Sequence, residues 1–66
     1  MKITIKQTII KGVFDEENIV EYIYSNIAPN IGDYVRIGKI EGRVFDKSID
    51  YDCKSIIVRV KPIEMF

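Results

Sequence analysis

The chain has no histidine, no tryptophan and no leucine, a single alanine (Ala28) and a single cysteine (Cys53). Each absence excludes something. Without histidine, the commonest general base and the commonest metal ligand are gone. Without leucine and with one alanine, the best apolar helix formers are gone. One cysteine closes no disulfide within the chain and reads as a reduced thiol in a cytosolic protein. An excess of charge of either sign is also missing. Ten basic and ten acidic side chains cancel, which argues against a general nucleic-acid binder and equally against an acidic nucleic-acid mimic. No apolar run approaches the roughly 18 residues of a membrane span. The start, Met1 to Lys6, alternates instead of presenting the apolar stretch of a signal peptide. A soluble protein of the cytoplasm is the expectation, the host cytoplasm if the source is a phage.

What the chain does have is fourteen isoleucines and six valines in 66 residues. Both residue types lose χ1 freedom in a helix and pack well on a pleated surface, so the expected fold is all-β. So short a chain makes one domain, residues 1–66. At about this size a domain buries only around 60% of its unfolded surface, and closing a barrel, dimerising through strand edges or docking on a partner would each add stability. Closure is the expected solution. Abundant Ile, Lys, Asn and Tyr also suit an AT-rich bacterial or phage genome.

Five strands are predicted, at roughly 2–11, 19–27, 33–38, 41–46 and 55–61. In the first, Ile3, Ile5 and Ile9 share one face, and Lys2, Thr4, Lys6 and Thr8 the other, the period-2 signature of a half-buried strand. Gly12 marks a bend near its end. Residues 15–27 admit two readings. Asp15 as cap, Glu16 and Glu17 in a first turn, and Ile19, Ile23 and Ile27 on one stripe would make a helix. Alternatively, Asp15 to Asn18 is a polar turn before a strand from Ile19, and propensity favours that strand. The alternative fold is therefore α+β, with 15–27 helical.

Gly38-Lys39 is the clearest local signal. Glycine at the first central position suits a type II′ hairpin turn. A two-residue loop there sets Ile37 opposite Ile40, Arg36 opposite Glu41, Val35 opposite Gly42 and Tyr34 opposite Arg43. Val35, Ile37, Ile40 and Val44 then share one face, while an Arg36–Glu41 ion pair and a Tyr34–Arg43 cation–π pair are expected on the other. Asp46 to Lys54 reads as a polar connection. The last strand turns Ile56, Val58 and Val60 inward and ends at Pro62, and Ile63, Met65 and Phe66 form an apolar tail.

Catalytic and metal constellations are thin. Asp46, Asp50 and Asp52 are the one candidate cation cluster, but they lack the spacing of a calcium loop, and aspartate is a common turn residue. Cys53 has only Lys54 beside it as a cation and no base to make it a nucleophile. Glu16 with Glu17, or Glu41 with Asp46, would need a cleft that raises one pKa before acting as an acid–base pair. No enzyme, no metal and no cofactor are expected. More informative is the outer face of the last three strands, where Tyr34, Arg36, Arg43, Phe45, Arg59 and Lys61 would share a surface. Cations interleaved with aromatics can bind a single nucleic-acid strand. Seven aromatics, Phe14, Tyr22, Tyr24, Tyr34, Phe45, Tyr51 and Phe66, also exceed what so small a core buries, and tyrosine and arginine are enriched at protein interfaces.

The phrases Pro29-Asn30-Ile31-Gly32-Asp33-Tyr34-Val35-Arg36-Ile37, Gly42-Arg43-Val44 and Ile56-Ile57-Val58-Arg59-Val60 together resemble small SH3-like β-barrel modules of the KOW type, and short phage proteins. The resemblance covers residues 29–60. It implies a five-stranded antiparallel barrel or curved sheet, and it implies RNA or ribosomal and transcription proteins as partners. Taken with the neutral charge and the surplus aromatics, the expected role is a non-catalytic protein-binding module. A phage or mobile-element accessory protein that inhibits or redirects a host protein would fit. The alternative is a KOW-like module that binds RNA or DNA through its basic aromatic face.

Overall fold

A computed structural model describes residues 1–62 of the chain. They form one five-stranded sheet: β1 (Lys2–Ile10), β2 (Glu16–Tyr24), β3 (Tyr34–Ile37), β4 (Ile40–Asp50) and β5 (Ser55–Pro62). The all-β expectation holds, and 16–24 is a strand, so the helical alternative for 15–27 falls. The described residues contain no helix, hence none long and apolar enough to cross a membrane. The apolar tail expected at Ile63, Met65 and Phe66 lies outside the described residues.

Strand order is β2-β1-β5-β4-β3. The β1–β2 hairpin and the β3–β4–β5 meander are joined through their inner members. β1 and β5 run parallel, Ile3 beside Ile56 and Ile5 beside Val58, while every other pair is antiparallel. The sheet is therefore mixed, which corrects the expected all-antiparallel arrangement. The local pattern of a strand fixes which face is buried. It does not fix the direction of the neighbour, and two inner strands with the same alternation satisfy either choice. The sheet is also an open half-barrel, since β2 and β3 remain edges.

The buried face follows the alternation. Ile3, Ile5, Val35, Ile40, Val44, Ile56, Val58 and Val60 form the core, with Ile19, Ile23, Ala28 and Ile37 packed against it. Of the most deeply buried side chains, Ile3 and Ile5 sit on β1, Val58 and Val60 on β5, and Ile40 on β4. Each such side chain contributes roughly 1.5–3 kcal/mol by leaving water. On β1 the buried row runs Ile3, Ile5, Gln7, and Ile9 is only half-buried. Curling brings the Glu21 carboxylate of β2 against Gly38 in the β3–β4 turn. Residues 25–33 return the chain to the far edge, where Gly32 N–H donates to Val44 C=O (2.8 Å) and Val44 N–H to Asp33 C=O (2.9 Å).

The β3–β4 hairpin has the register its turn dictates: Ile37 opposite Ile40, Arg36 opposite Glu41, Val35 opposite Gly42 and Tyr34 opposite Arg43. Gly38 carries φ 55 while Lys39 is not left-handed, as a II′ turn requires. β4 then departs from expectation. It continues to Asp50, so that only residues 51–54 form the turn before β5. Val44 faces Val60 and Asp46 faces Arg59, which leaves Phe45 as the extra residue of a β-bulge. Beyond it, Lys47 and Ile49 face Val58 and Ile56. The bulge shifts the inward phase by one residue, and that shift disguises 46–50 as a polar loop.

Candidate functional site

The parallel junction of β1 and β5 does not run the full length of both strands. Met1 accepts from Ser25 N–H (3.1 Å) and Lys11 N–H donates to Asp15 C=O (2.9 Å), so the odd residues of β1 bond towards β2 and the even ones towards β5. Continued past Val60, the ladder would need Thr8 C=O to take the N–H of residue 62. Pro62 has none. Pairing accordingly stops at Gln7 beside Val60, and a groove of about 460 Å³ opens on the outer face at that point.

Three strands and the bulge supply its walls. Lys6 and Thr8 come from β1, Asn18 and Val20 from β2, Arg59 and Lys61 from β5, and Phe45 from the bulge of β4. The bulge places both Phe45 and Asp46 on the outer face, which is how an aromatic ring half-exposed to solvent comes to border the groove. Lys61 Nζ lies 5.5 Å from the centre of the Phe45 ring, a cation–π distance. Thr8 Oγ1 donates to Asn18 Oδ1 at 2.7 Å, which leaves the Asn18 amide nitrogen with two donors at the rim. Arg59 is bonded to Asp46 at 2.9 Å. Lys6 and Lys61 make no ion pair among the described residues, and no carboxylate among those residues lines the groove.

The six residues expected on one basic aromatic surface lie on the outer face of β3, β4 and β5, with Tyr34 beside Arg43 and Arg43 beside Lys61. Of these, Phe45, Arg59 and Lys61 border the groove. Local partners on the β3–β4 hairpin differ from those expected. Glu41 takes its hydrogen bond from the Tyr34 hydroxyl, diagonally across the hairpin, and no Arg36–Glu41 ion pair forms among the described residues. Arg43 donates to Gly32 C=O at 3.1 Å, and no cation–π pair joins it to Tyr34. The bond to Glu41 raises the Tyr34 pKa by favouring the protonated phenol. Lys6, Thr8, Asn18 and Val20 were invisible as site residues in the sequence, because their place beside Arg59 and Lys61 depends on the parallel β1–β5 pairing.

The carboxylates elsewhere hold the surface together. Asp50 Oδ1 accepts from Asp52 N–H (3.0 Å) and Cys53 N–H (3.1 Å), shaping the turn before β5. These bonds lower the Asp50 pKa, and the Asp50 carboxylate raises that of the exposed Cys53 thiol. Lys11 pairs with Glu17 at 2.6 Å and lowers the Glu17 pKa. With Asp46 on Arg59 and Asp50 in its turn, the three aspartates do not converge. Among the described residues no group of three His, Cys, Asp or Glu side chains is placed to hold a metal ion.

A second exposed feature stands at the end of the β1–β2 hairpin. Ile10, Val13 and Phe14 surround a shallow depression with Gly12, Asp15 and Glu16. Val13 is 90% and Phe14 100% exposed. At the other end of the hairpin Tyr22 and Tyr24 are also exposed on the outer face of β2, with Lys2 Nζ 4.7 Å from the Tyr22 ring centre.

No family model, curated protein or solved structure matches this chain.

Proposed function

We propose that the chain is a non-catalytic protein-binding module that recognises its partner by surface apolar and aromatic side chains. The observation that carries this reading is the exposure of Ile10, Val13 and Phe14 together at one hairpin end. Single exposed apolar residues are ordinary, but a contiguous group rimmed by charge is characteristic of an interaction site. Here the rim is Lys11, Asp15, Glu16 and Glu17. Histidine is absent, and the groups whose pKa values depart from the ordinary, Glu17, Tyr34, Asp50 and Cys53, all lie at the surface in turns and cross-strand bonds. That pattern supports a binding role over catalysis.

Small size and an isoleucine-, lysine-, asparagine- and tyrosine-rich composition support a phage or mobile-element accessory protein, acting in the host cytoplasm on a host protein. The KOW-like reading, with RNA or DNA on the basic face, is the competitor. It is disfavoured by a neutral net charge and by the ion pair of Arg59 with Asp46. A nuclease-treated pull-down of the tagged protein from a bacterial lysate, with absorbance at 260 nm on an untreated parallel sample, separates the two. A protein enriched despite nuclease supports the module. Recovered nucleic acid, with protein partners lost on nuclease treatment, overturns it.

A further inference from the structure

The groove at the end of the β1–β5 ladder is chemically distinct from the apolar hairpin tip, and its lining states what it would take. We infer that it is a docking site for an extended segment of a partner protein that combines acidic side chains with a large apolar one. This deepens the protein-binding reading and rests on it. Charge complementarity selects that occupant. In a chain of zero net charge, the charged residues lining the groove among those described are Lys6, Arg59 and Lys61, all cations. Arg59 is neutralised by Asp46, which leaves Lys6 and Lys61 to meet carboxylates. On either side of them Val20 of β2 and Phe45 of β4 offer apolar surface, and the Asn18 amide offers donors to a backbone carbonyl.

A nucleic-acid strand fits less well. Phosphate binding draws on many cations at once, whereas among the described residues lining the groove only Lys6 and Lys61 are cations without an ion pair, a number that suits a short peptide. The volume, about 460 Å³, falls within the range of sites that enclose a small ligand or a few side chains. The bulge supports the assignment from a different direction. It costs β4 a ladder position and gains an outward Phe45 beside Lys61, and bulges commonly re-aim a side chain at a functional surface.

The test is a titration of the ¹⁵N-labelled full chain with four probes. They are a short peptide of glutamates around one phenylalanine, the same peptide with lysine for glutamate, the same with alanine for phenylalanine, and an oligothymidylate. Expected are amide shifts confined to Lys6, Thr8, Asn18, Phe45 and Lys61 with the first peptide, weakening as salt is raised. Binding should be about tenfold weaker with the alanine peptide, about tenfold weaker for the Lys6→Glu, Lys61→Glu variant, and undetectable with the lysine peptide. Both lysines are at the surface, so circular dichroism should report the variant as folded. Shifts at Ile10 to Phe14 instead overturn the groove while leaving the protein-binding reading intact. No shift with any probe also overturns the groove. Tighter binding of oligothymidylate at the same amides overturns both.

Discussion

Gln7 on β1 donates its side-chain amide to the backbone carbonyl of Glu41 on β4, Nε2 to O 2.8 Å, across the concave side of the sheet. In a two-residue hairpin the pair next to the turn-flanking one is not hydrogen-bonded, so the Glu41 carbonyl faces away from β3. Gln7, only 3% exposed, supplies the partner. Gln7→Leu keeps the bulk and removes the donor. It should lower stability by about 1–3 kcal/mol, read as a melting temperature roughly 4–8 °C lower per kcal/mol in a domain of this size.

Gly42 of β4 lies close against the backbone of β5. A Cβ there would collide with the Lys61 carbonyl oxygen, which is backbone and cannot swing aside. Gly42→Ala should cost about 2–3 kcal/mol in urea unfolding, a large share of what so small a domain has. Gly12→Ala is the control. Its Cβ meets only Asp15 Cβ at 3.9 Å, and its effect should stay within about 0.5 kcal/mol.

How much of this was legible in the sequence depended on range. The β3–β4 register was readable because Gly38-Lys39 fixes it locally, and the inward row of β5 was readable because Ile56, Val58 and Val60 alternate without interruption. The second half of β4 was hidden, since the bulge at Phe45 breaks the alternation that would have marked 46–50 as a strand. The parallel pairing of β1 with β5 was hidden for another reason: it joins residues more than fifty positions apart, such as Lys6 and Arg59, and no local pattern encodes it. The groove inherits both limits. Phe45, Arg59 and Lys61 were visible as surface candidates, and the wall built from Lys6, Thr8 and Asn18 was not. The hairpin glutamine was missed for a simpler cause, because Gln7 occupies an apolar row where a polar residue reads as a break.

Cys53 should be a sluggish thiol despite its exposure. The Asp50 carboxylate raises its pKa through a hydrogen bond and through charge repulsion of the thiolate, and the thiolate is the reacting form. Asp50→Asn keeps a residue able to shape the turn and removes the charge. Alkylation of Cys53 by iodoacetamide at mildly alkaline pH should be faster in the variant than in the wild type. Equal rates would show that Asp50 does not govern the thiol.

Tyr34 makes the alkaline side of the stability profile informative. Its pKa is raised first by the hydrogen bond to Glu41. A group whose folded value is raised contributes stability that is fully present below its unfolded pKa and is lost as pH rises through the folded value. The wild type should therefore be more stable than Tyr34→Phe at neutral pH, and the difference should vanish as pH climbs through the raised Tyr34 value, above about 10. Denaturant midpoints across that range check the trend, and phenolate absorbance locates the Tyr34 titration above the ordinary tyrosine range.

Whether this half-barrel captures a partner protein, and does so through the outer groove, is measured most directly by a side-by-side, nuclease-treated pull-down. Wild type and the Lys6→Glu, Lys61→Glu variant are compared, each first shown by circular dichroism to be folded. The wild type should enrich a protein that is lost or strongly depleted with the variant. The same protein retained equally by both, or nucleic acid as the sole specific cargo of the wild type, would contradict capture of a protein through the groove.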